Sequence, residues 1–161
     1  MTEDEALRTL RGSDAALAAR AEAHLWQIWC RSGIPEMDAL LRQGMEAMER
    51  GEFAAAEACF TRIIERAPDF AEGWNKRATV RYLAESYAGA IADCEETLAR
   101  KPHHFGALSG QGLCWIALGQ YREAAACFRR ALRVHPHLTS ARHNLAAALA
   151  EAVKGNGHWR C

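Results

Sequence analysis

Apolar and polar residues follow a helical period along most of the chain, and the same pattern returns at a fixed interval. Apolar side chains recur three or four positions apart, which indicates amphipathic helices rather than strands. The interval is 34 residues and is marked by Pro68, Pro102 and Pro136. Five further columns have this spacing: Gly44, Ala78 and Gly112; Phe53, Tyr87 and Tyr121; Ala56, Ala90 and Ala124; Phe60, Cys94 and Phe128; and Ile64, Leu98 and Leu132. Repetition at this length predicts an all-α chain of stacked helix-turn-helix units.

Each column has a physical role in such a stack. Gly44, Ala78 and Gly112 fall in the middle of the first helix of a unit, where a small side chain lets the second helix approach closely. Large residues such as Phe60 and Phe128 fill the space between successive units, because one hairpin cannot bury its own apolar face. The prolines end the second helices, since proline cannot continue a helix.

The turn inside a unit is not the same in all three copies. Gly51 and Gly119 supply it in the first and third units, and glycine adopts conformations that other residues avoid. Glu85 stands at this position in the second unit. We therefore expect the second turn to differ in detail.

The period and these columns together resemble the tetratricopeptide repeat (TPR) family. The strings EGWNKRAT at 72–79 and HFGALSG at 104–110 resemble, more narrowly, a group of small three-repeat TPR proteins with no assigned activity. The resemblance implies an all-α, right-handed solenoid. Its repeats would cover residues 37–70, 71–104 and 105–138.

The two ends of the chain depart from the repeat. Residues 13–31 predict a helix capped by Ser13 or Asp14. Extending the period backwards aligns Trp26 and Trp29 with residues of the first repeat, so segment 1–36 is either a degenerate repeat or a cap laid on repeat one. Residues 139–154 predict a capping helix stopped at Gly155, and residues 155–161 a flexible tail.

TPR proteins usually bind partners in a concave groove lined by the first helices of the repeats. Carried over position by position, that groove would present Leu41, Met45, Met48, Asn75, Thr79, Tyr82, Leu83, Ser109, Leu113 and Ile116. This surface is mostly apolar, and its methionines can repack around a ligand. The resemblance therefore implies an adaptor that binds an apolar helical or extended peptide of another protein, with the Asn75 amide holding the peptide backbone.

Three alternatives stay open at this stage. The groove could be covered by a terminal segment of the chain itself, or by a second copy. The protein could also be a structural subunit of a larger assembly, or self-associate, through the helix that carries Trp26 and Trp29.

One partner class of the family is not expected. TPR proteins that bind the acidic C-terminal tails of chaperones carry a clamp of Lys, Asn and Arg side chains. The matching positions here are Leu41, Met45, Lys76, Gly106 and Gly110, and none fits that clamp.

Charge and composition exclude further partners. Twenty Lys and Arg residues balance twenty Asp and Glu residues, which argues against nucleic acid and anionic membranes as partners. Arg129, Arg130 and Arg133 are interpreted as part of a mixed-charge outer face, with a convex RNA-binding patch as the weaker alternative. No apolar run could span a bilayer and no leader is visible, so we expect a cytoplasmic protein, or an organellar or periplasmic one if a targeting segment was removed.

Candidate chemistry is sparse, and neither an enzyme nor a cofactor is expected. The sequence contains no Gly-rich phosphate loop and no nucleophile or zinc-protease motif. Cysteines inside helical patterns are interpreted as reduced core residues, and only Cys30, beside Arg31, has a hint of thiol reactivity. We expect the histidines near the repeat ends to lie in solvent-facing turns, where they would not form a metal site. They are His103, His104, His135, His137 and His143.

Overall fold

The computed structural model describes residues 1–157, and this part of the chain contains nine helices and no strand. The helices are α1 (Glu3–Leu10), α2 (Ala15–Trp29), α3 (Pro35–Glu49), α4 (Phe53–Arg66), α5 (Ala71–Leu83), α6 (Tyr87–Arg100), α7 (Phe105–Ala117), α8 (Tyr121–Val134) and α9 (Thr139–Gly157). Within that range, none is both long enough and apolar enough to cross a bilayer.

Helices α3 to α9 form a continuous stack. The pairs α3 and α4, α5 and α6, and α7 and α8 are antiparallel hairpins, and each helix from α4 to α8 also contacts the next one along the chain. Contacts between α5 and α7 place the first helices of neighbouring hairpins side by side. The predicted all-α solenoid is therefore confirmed.

Close approach within two of the hairpins depends on glycine. A Cβ atom built on Gly44 would lie 2.5 Å from the ring of Phe60, and one on Gly112 would lie 2.7 Å from the ring of Phe128. Both rings are completely buried. The phenyl ring of the second helix thus occupies the space that a side chain on the first helix would need.

The turn in the second hairpin corrects the expectation from the sequence. Gly51 and Gly119 have φ angles of 74° and 73°, and Glu85 adopts the same left-handed conformation at 63°. The second turn therefore has the geometry of the other two. Glutamate does this at a cost of about 1–2 kcal/mol, because its Cβ atom crowds the backbone there.

A buried ion-pair network ties α4, α5 and α6 together. Asp93 is almost fully buried and accepts two hydrogen bonds from the Arg77 guanidinium, at 2.8 and 2.9 Å. Arg81 donates to Asp93 at 3.0 Å and to Glu57 of α4 at 2.8 Å. Removing Asp93 would leave the mostly buried Arg77 guanidinium without an anionic partner, which is costlier than losing an exposed ion pair.

The N-terminal segment folds as a hairpin of α1 and α2, and both expectations for it are wrong. It does not stack on repeat one. Its apolar residues, including Leu10, Leu25 and Trp29, share a buried cluster with Phe105 and Phe128 of the third hairpin. Polar contacts point the same way, with Glu3 paired to Lys101 at 2.7 Å, Glu22 to His135 at 2.9 Å, and the Gly12 carbonyl to His137 at 2.7 Å.

Local signals explain both helices of this hairpin. Thr2 and Glu5 form a reciprocal capping box that starts α1. Asp14, one of the two predicted caps, accepts hydrogen bonds from the backbone of Ala16 and Leu17 and starts α2.

The C-terminal helix is longer than expected. It begins at Thr139 as predicted but continues through Gly155 to Gly157, so Gly155 does not stop it. The predicted flexible tail is wrong for residues 155–157, and residues 158–161 lie outside the described part of the chain.

Two neighbouring glycines of α7 give opposite predictions. Gly112→Ala should lower the free energy of unfolding by about 1–3 kcal/mol, because its methyl group collides with the Phe128 ring. Gly110→Ala should raise it by up to about 1 kcal/mol, since a Cβ there meets only Cys94 Sγ at 3.8 Å and alanine favours the helix. Urea unfolding followed by circular dichroism measures both. Equal effects of the two variants would contradict the packing described for Gly112.

Candidate functional site

A cavity of about 230 Å³ lies between α5 and α7. Its lining residues are Asn75, Ala78, Thr79 and Tyr82 from α5, Cys94 from α6, and Gly106, Ser109, Gly110, Leu113 and Cys114 from α7. Small side chains line much of this wall, so neighbouring first helices leave space between them.

The cavity exists because the second hairpin lacks the contact between a phenyl ring and a glycine that packs the first and third hairpins. Phe60 and Phe128 fill the corresponding space in the first and third hairpins. The same column holds Cys94 in the second hairpin, and Ala78 replaces the glycine. A thiol is much smaller than a phenyl ring, so the missing volume remains open and both residues line it.

Half of the predicted groove residues line this cavity. These are Asn75, Thr79, Tyr82, Ser109 and Leu113. Whether they contact a peptide stays a prediction.

The other five predicted groove residues lie elsewhere. Leu41 is buried in the core of the first hairpin, and Met45 and Met48 pack against that core. Ile116 packs against the cluster shared by the third hairpin and the N-terminal hairpin, and Leu83 is 44% exposed.

Two polar side chains at the cavity differ in whether they have a hydrogen-bond partner within the described residues. Asn75 is buried, and its Nδ2 donates to Glu72 Oε1 at 2.7 Å, so one donor predicted for a peptide is already used. Ser109 Oγ is buried without a hydrogen-bond partner among residues 1–157. A buried hydroxyl without a partner is unfavourable by about 1–3 kcal/mol, which a ligand able to hydrogen-bond it would recover.

Next to Asn75, a buried acid and a buried histidine fasten α5 to α7. Glu72 Oε2 and His104 Nε2 are 3.0 Å apart, and both side chains are completely buried. His104 Nδ1 accepts the backbone N–H of Ala107, so in the neutral ring the proton is on Nε2 and is donated to the carboxylate. Burial raises the pKa of Glu72, but the hydrogen bond from His104 and the charge of Lys76 more than offset this and lower it below its usual value.

The N-terminal hairpin is held against this pair by its tryptophans. Trp29 stacks on the His104 ring with centroids 4.3 Å apart, and Trp26 meets the same ring edge-on at 5.4 Å. Lys76 Nζ lies 5.4 Å from the centroid of Trp26, and a Cβ on Gly106 would lie 2.6 Å from that indole. Since Gly106 also lines the cavity, α2 covers one end of the space between α5 and α7.

The histidines next to the repeat prolines are not all solvent-facing, which corrects the prediction. His104 is completely buried and His135 is 2% exposed, because the N-terminal hairpin lies over both. Within the described residues, no three His, Cys, Asp or Glu side chains come together as a group that could hold a metal ion.

The thiols show no sign of activation. Cys59, Cys94 and Cys127 are free and buried, as predicted for core residues, and Cys114 is also free and buried. Burial raises the pKa of Cys30 to about 11, so Arg31 does not activate this thiol. Cys161 lies outside the described residues.

Comparison with known proteins decides the family. Residues 41–105 and 105–138 each match a family model described as tetratricopeptide repeat. A TPR repeat-containing protein of Rhizobium etli is 31% identical over 150 residues, which cover 93% of this chain and 72% of that protein. The chain belongs to the tetratricopeptide repeat family. The Hsp70-Hsp90 organizing protein of Triticum aestivum is 30% identical over 112 residues, but these are only 19% of its length.

Solved TPR structures share the fold. The first TPR domain of human RPAP3 superposes with a TM-score of 0.73 and 21% identity, covering 76% of this chain and 97% of that domain. The first TPR of Spaghetti (RPAP3), solved with an HSP90 peptide bound, has a TM-score of 0.71 at 22% identity and covers 73% of this chain and 93% of its own. At this identity the likeness shows the fold alone.

Several residues of the TPR cavity were not among the predicted site residues. Ala78, Cys94 and Cys114 are the clearest examples. A signal was present for Cys94, since it interrupts a column of two phenylalanines. No comparable signal in the sequence indicates that Trp26 borders the groove.

Glu72→Gln tests the anchor of the N-terminal hairpin. We expect it to lower the free energy of unfolding by about 2 kcal/mol near neutral pH, because a buried charge-assisted hydrogen bond is lost. The folded-state pKa of Glu72 lies below 4.5, so this contribution is complete above pH 4.5 and disappears as pH falls through the lower value. The gap between wild type and variant should therefore narrow in acid. Urea unfolding followed by tryptophan fluorescence measures it.

The matched control is Glu65→Gln, an exposed position on α4. It should leave stability within about 0.5 kcal/mol of wild type. A gap for Glu72→Gln that stays constant from neutral to acid pH would contradict an ionised Glu72 in the fold.

Proposed function

We propose that this TPR protein is an adaptor that binds an apolar helical or extended peptide in its concave groove, at the cavity between α5 and α7. The cavity is the observation that carries the proposal. Binding sites are typically concave and mostly apolar, with a few polar groups that orient the ligand. Leu113 and Tyr82 offer apolar surface here, and Ser109 offers a free hydroxyl.

The size of the cavity suits one anchoring side chain rather than a whole peptide. At about 230 Å³ it takes a large apolar residue, and the rest of the peptide would run along the surface of α5 and α7. Thr79 is exposed at the rim. Ser109 Oγ would then hydrogen-bond a polar atom of the bound chain, which relieves its unsatisfied state.

The N-terminal hairpin limits how the peptide could lie. Trp26 covers the end of the groove at Gly106 and Lys76. The peptide would therefore leave the cavity toward Tyr82, at the other end of α5. The alternative in which a terminal segment covers the groove would thus apply to one end only and leave the cavity accessible.

Chaperone tails are not the proposed ligand, although neighbours in fold bind them. The first TPR of Spaghetti binds an HSP90 peptide, and a TPR domain of yeast Sti1 was solved as a complex with pHsp70. Here Leu41 is buried, and Gly106 and Gly110 offer no cation. Lys76 lies over the Trp26 ring and 3.5 Å from Glu72, so its charge is already partnered.

The alternative of a structural subunit that associates through the tryptophan helix loses its main support. Trp29 is 4% exposed, and its indole Nε1 donates to Glu3 at 2.9 Å. Trp26 packs on His104 and Phe105. Both rings are used inside the chain, which leaves little of either for a partner.

Replacing the residues that open the cavity should abolish peptide binding. The variant Ala78→Gly with Cys94→Phe gives the second hairpin the pair found in the first and third, so a ring should fill the cavity while the fold is kept. A peptide selected on wild type from a displayed random library is then measured by calorimetry. We expect affinity to fall at least about thirtyfold, the effect of losing one anchor of roughly 2 kcal/mol.

Cys94→Ala is the matched control, because it changes the same position and leaves the cavity open. It should bind the peptide within about threefold of wild type, since little contact is lost. Circular dichroism checks that both variants remain helical. Equal affinities for all three proteins would place the peptide elsewhere and contradict the proposal.

An acidic peptide that ends in a free carboxylate should not bind. The five clamp positions provide one lysine, which is already paired, so the peptide charge would be desolvated without compensation. Fluorescence anisotropy with the peptide SRMEEVD measures this, and the first TPR of Spaghetti is the positive control. Saturable binding of similar strength to both proteins would show that the clamp argument is wrong.

A further inference from the structure

A second cavity, of about 340 Å³, lies where the N-terminal hairpin meets the third repeat. Its lining residues are Arg11, Pro102, His103, Leu108, Arg130, Arg133 and Val134. Four of the seven are basic and none is acidic. The four basic residues come from three separate parts of the chain: Arg11 from the end of α1, His103 from the turn before α7, and Arg130 and Arg133 from α8.

In the described part of the chain, the basic side chains of this cleft have no hydrogen-bonding or ionic partner. Within residues 1–157, no hydrogen bond or ion pair involves the side chain of Arg11, His103, Arg130 or Arg133. Arg77 and Arg81, by contrast, are both paired with Asp93. Unpaired like charges gathered in one cleft repel each other and raise the local concentration of anions.

The preceding repeat supplies an internal comparison, because every cleft residue of the third repeat has a counterpart 34 positions earlier. Asp69 corresponds to His103, Glu96 to Arg130, and Ala99 to Arg133. Two acids and a neutral residue are thus replaced by three basic ones. The corresponding residues of the first repeat, Pro35, Arg62 and Glu65, carry no net charge, so the excess of basic side chains is particular to the third junction.

The same comparison explains why there is space for a ligand. Trp74 corresponds to Leu108 and fills the junction of the second repeat, with its indole Nε1 donating to the Pro68 carbonyl at 2.9 Å. The Arg100 guanidinium lies 4.8 Å from that ring and pairs with Glu96 at 2.7 Å. The third repeat has the smaller Leu108 at this position, as the first repeat has Leu40, and Val134 stands in place of Arg100. The space is left open and its floor is apolar.

We propose that this cleft binds a phosphate monoester, with Arg11, Arg130 and Arg133 holding the phosphate group and His103 beside it. A phosphate monoester carries a charge of about −1.5 to −2 near neutral pH, which three guanidinium groups can match. Guanidinium groups bind phosphate oxygens in a two-pronged geometry that suits this charge and shape. Leu108, Pro102 and Val134 provide apolar surface for the organic part of the ligand. The phosphate could belong to a free organic phosphate or to a phosphorylated side chain of another protein.

Calorimetric titrations with three probes test the proposal at constant ionic strength. The probes are inorganic phosphate, phenyl phosphate and a capped phosphoserine peptide, and wild type should bind at least one of them saturably. Tightest binding of phenyl phosphate assigns the site to a free organic phosphate, and tightest binding of the peptide assigns it to a phosphorylated protein. No saturable binding of any probe would overturn the proposal.

Two single charge reversals on α8 form a matched pair. Arg130→Glu places in the cleft the residue that stands at 96 in the repeat before, and should weaken binding about tenfold or more. Arg129→Glu makes the same charge change at the adjacent residue, which does not line the cleft, and copies Glu95. It should change affinity less than about twofold. Equal weakening by both variants would show a diffuse charge effect and overturn the site.

A third variant removes the space and leaves every charge in place. Leu108→Trp copies Trp74 and should block the phosphate probes, provided that circular dichroism shows an unchanged helical content. Unchanged affinity in a folded Leu108→Trp would place the anion outside the cleft. A short single-stranded RNA that binds more tightly than the phosphate probes and loses affinity equally in Arg129→Glu and Arg130→Glu would assign these arginines to a nucleic acid surface, and overturn the proposal.

Discussion

The close packing of a phenyl ring against a glycine inside a hairpin is the contact on which the stack depends. It sets the distance between the two helices of the first and third repeats, and it leaves no room for even a methyl group at Gly44 or Gly112. Protein interiors tolerate little change in volume at such positions. The second repeat has a cysteine in place of the ring, and the resulting cavity is lined by that cysteine and by residues of both neighbouring first helices. The candidate binding site therefore lies in the repeat that lacks the contact between a phenyl ring and a glycine.

A repeat protein normally gains stability from neighbour-to-neighbour contacts alone. The N-terminal hairpin of this chain breaks that pattern, because it bypasses the first repeat and packs on the third. Burying Glu72 and His104 beneath it is tolerable since nearly every polar atom of the pair has a partner: Asn75, Lys76, Ala107 and each other. Asn75 belongs both to this anchor and to the lining of the cavity. The segment that closes one end of the groove is thus connected to the site indirectly, through the stacking of Trp29 on His104 and the hydrogen bonds that His104 and Asn75 make to Glu72.

The 34-residue columns were enough to predict the helices of the repeats and their stacking, and the resemblance to the TPR family implied half of the residues around the cavity. They could not predict where the N-terminal hairpin lies, since a period describes neighbours along the chain and the hairpin is held by contacts such as that of Glu22 with His135, 113 positions apart. His104 and His135 were misplaced for the same reason. A proline beside a histidine indicates a turn, and turns are normally exposed. His104 and His135 are buried only because the N-terminal hairpin, which is distant in sequence, covers them. The left-handed Glu85 was missed because the fixed geometry of the stacked helices overrides the preference of one residue.

Departures from the repeat carry more information about function than the repeat itself. In a chain whose repeats share one architecture, each copy serves as a control for the others, and a residue needed only for folding should suit every copy. Cys94 does not follow this rule, and neither do His103 and Arg133, whereas Leu108 and Arg130 match Leu40 and Arg62 of the first repeat. The first departure removes volume on the side of the first helices. The second pair adds positive charge at the junction with the N-terminal hairpin. Sites where sequence breaks local consistency without a structural gain are where functional constraint is expected. The two cavities therefore have a common origin in the repeat and differ in chemistry, one apolar with a free hydroxyl and the other cationic.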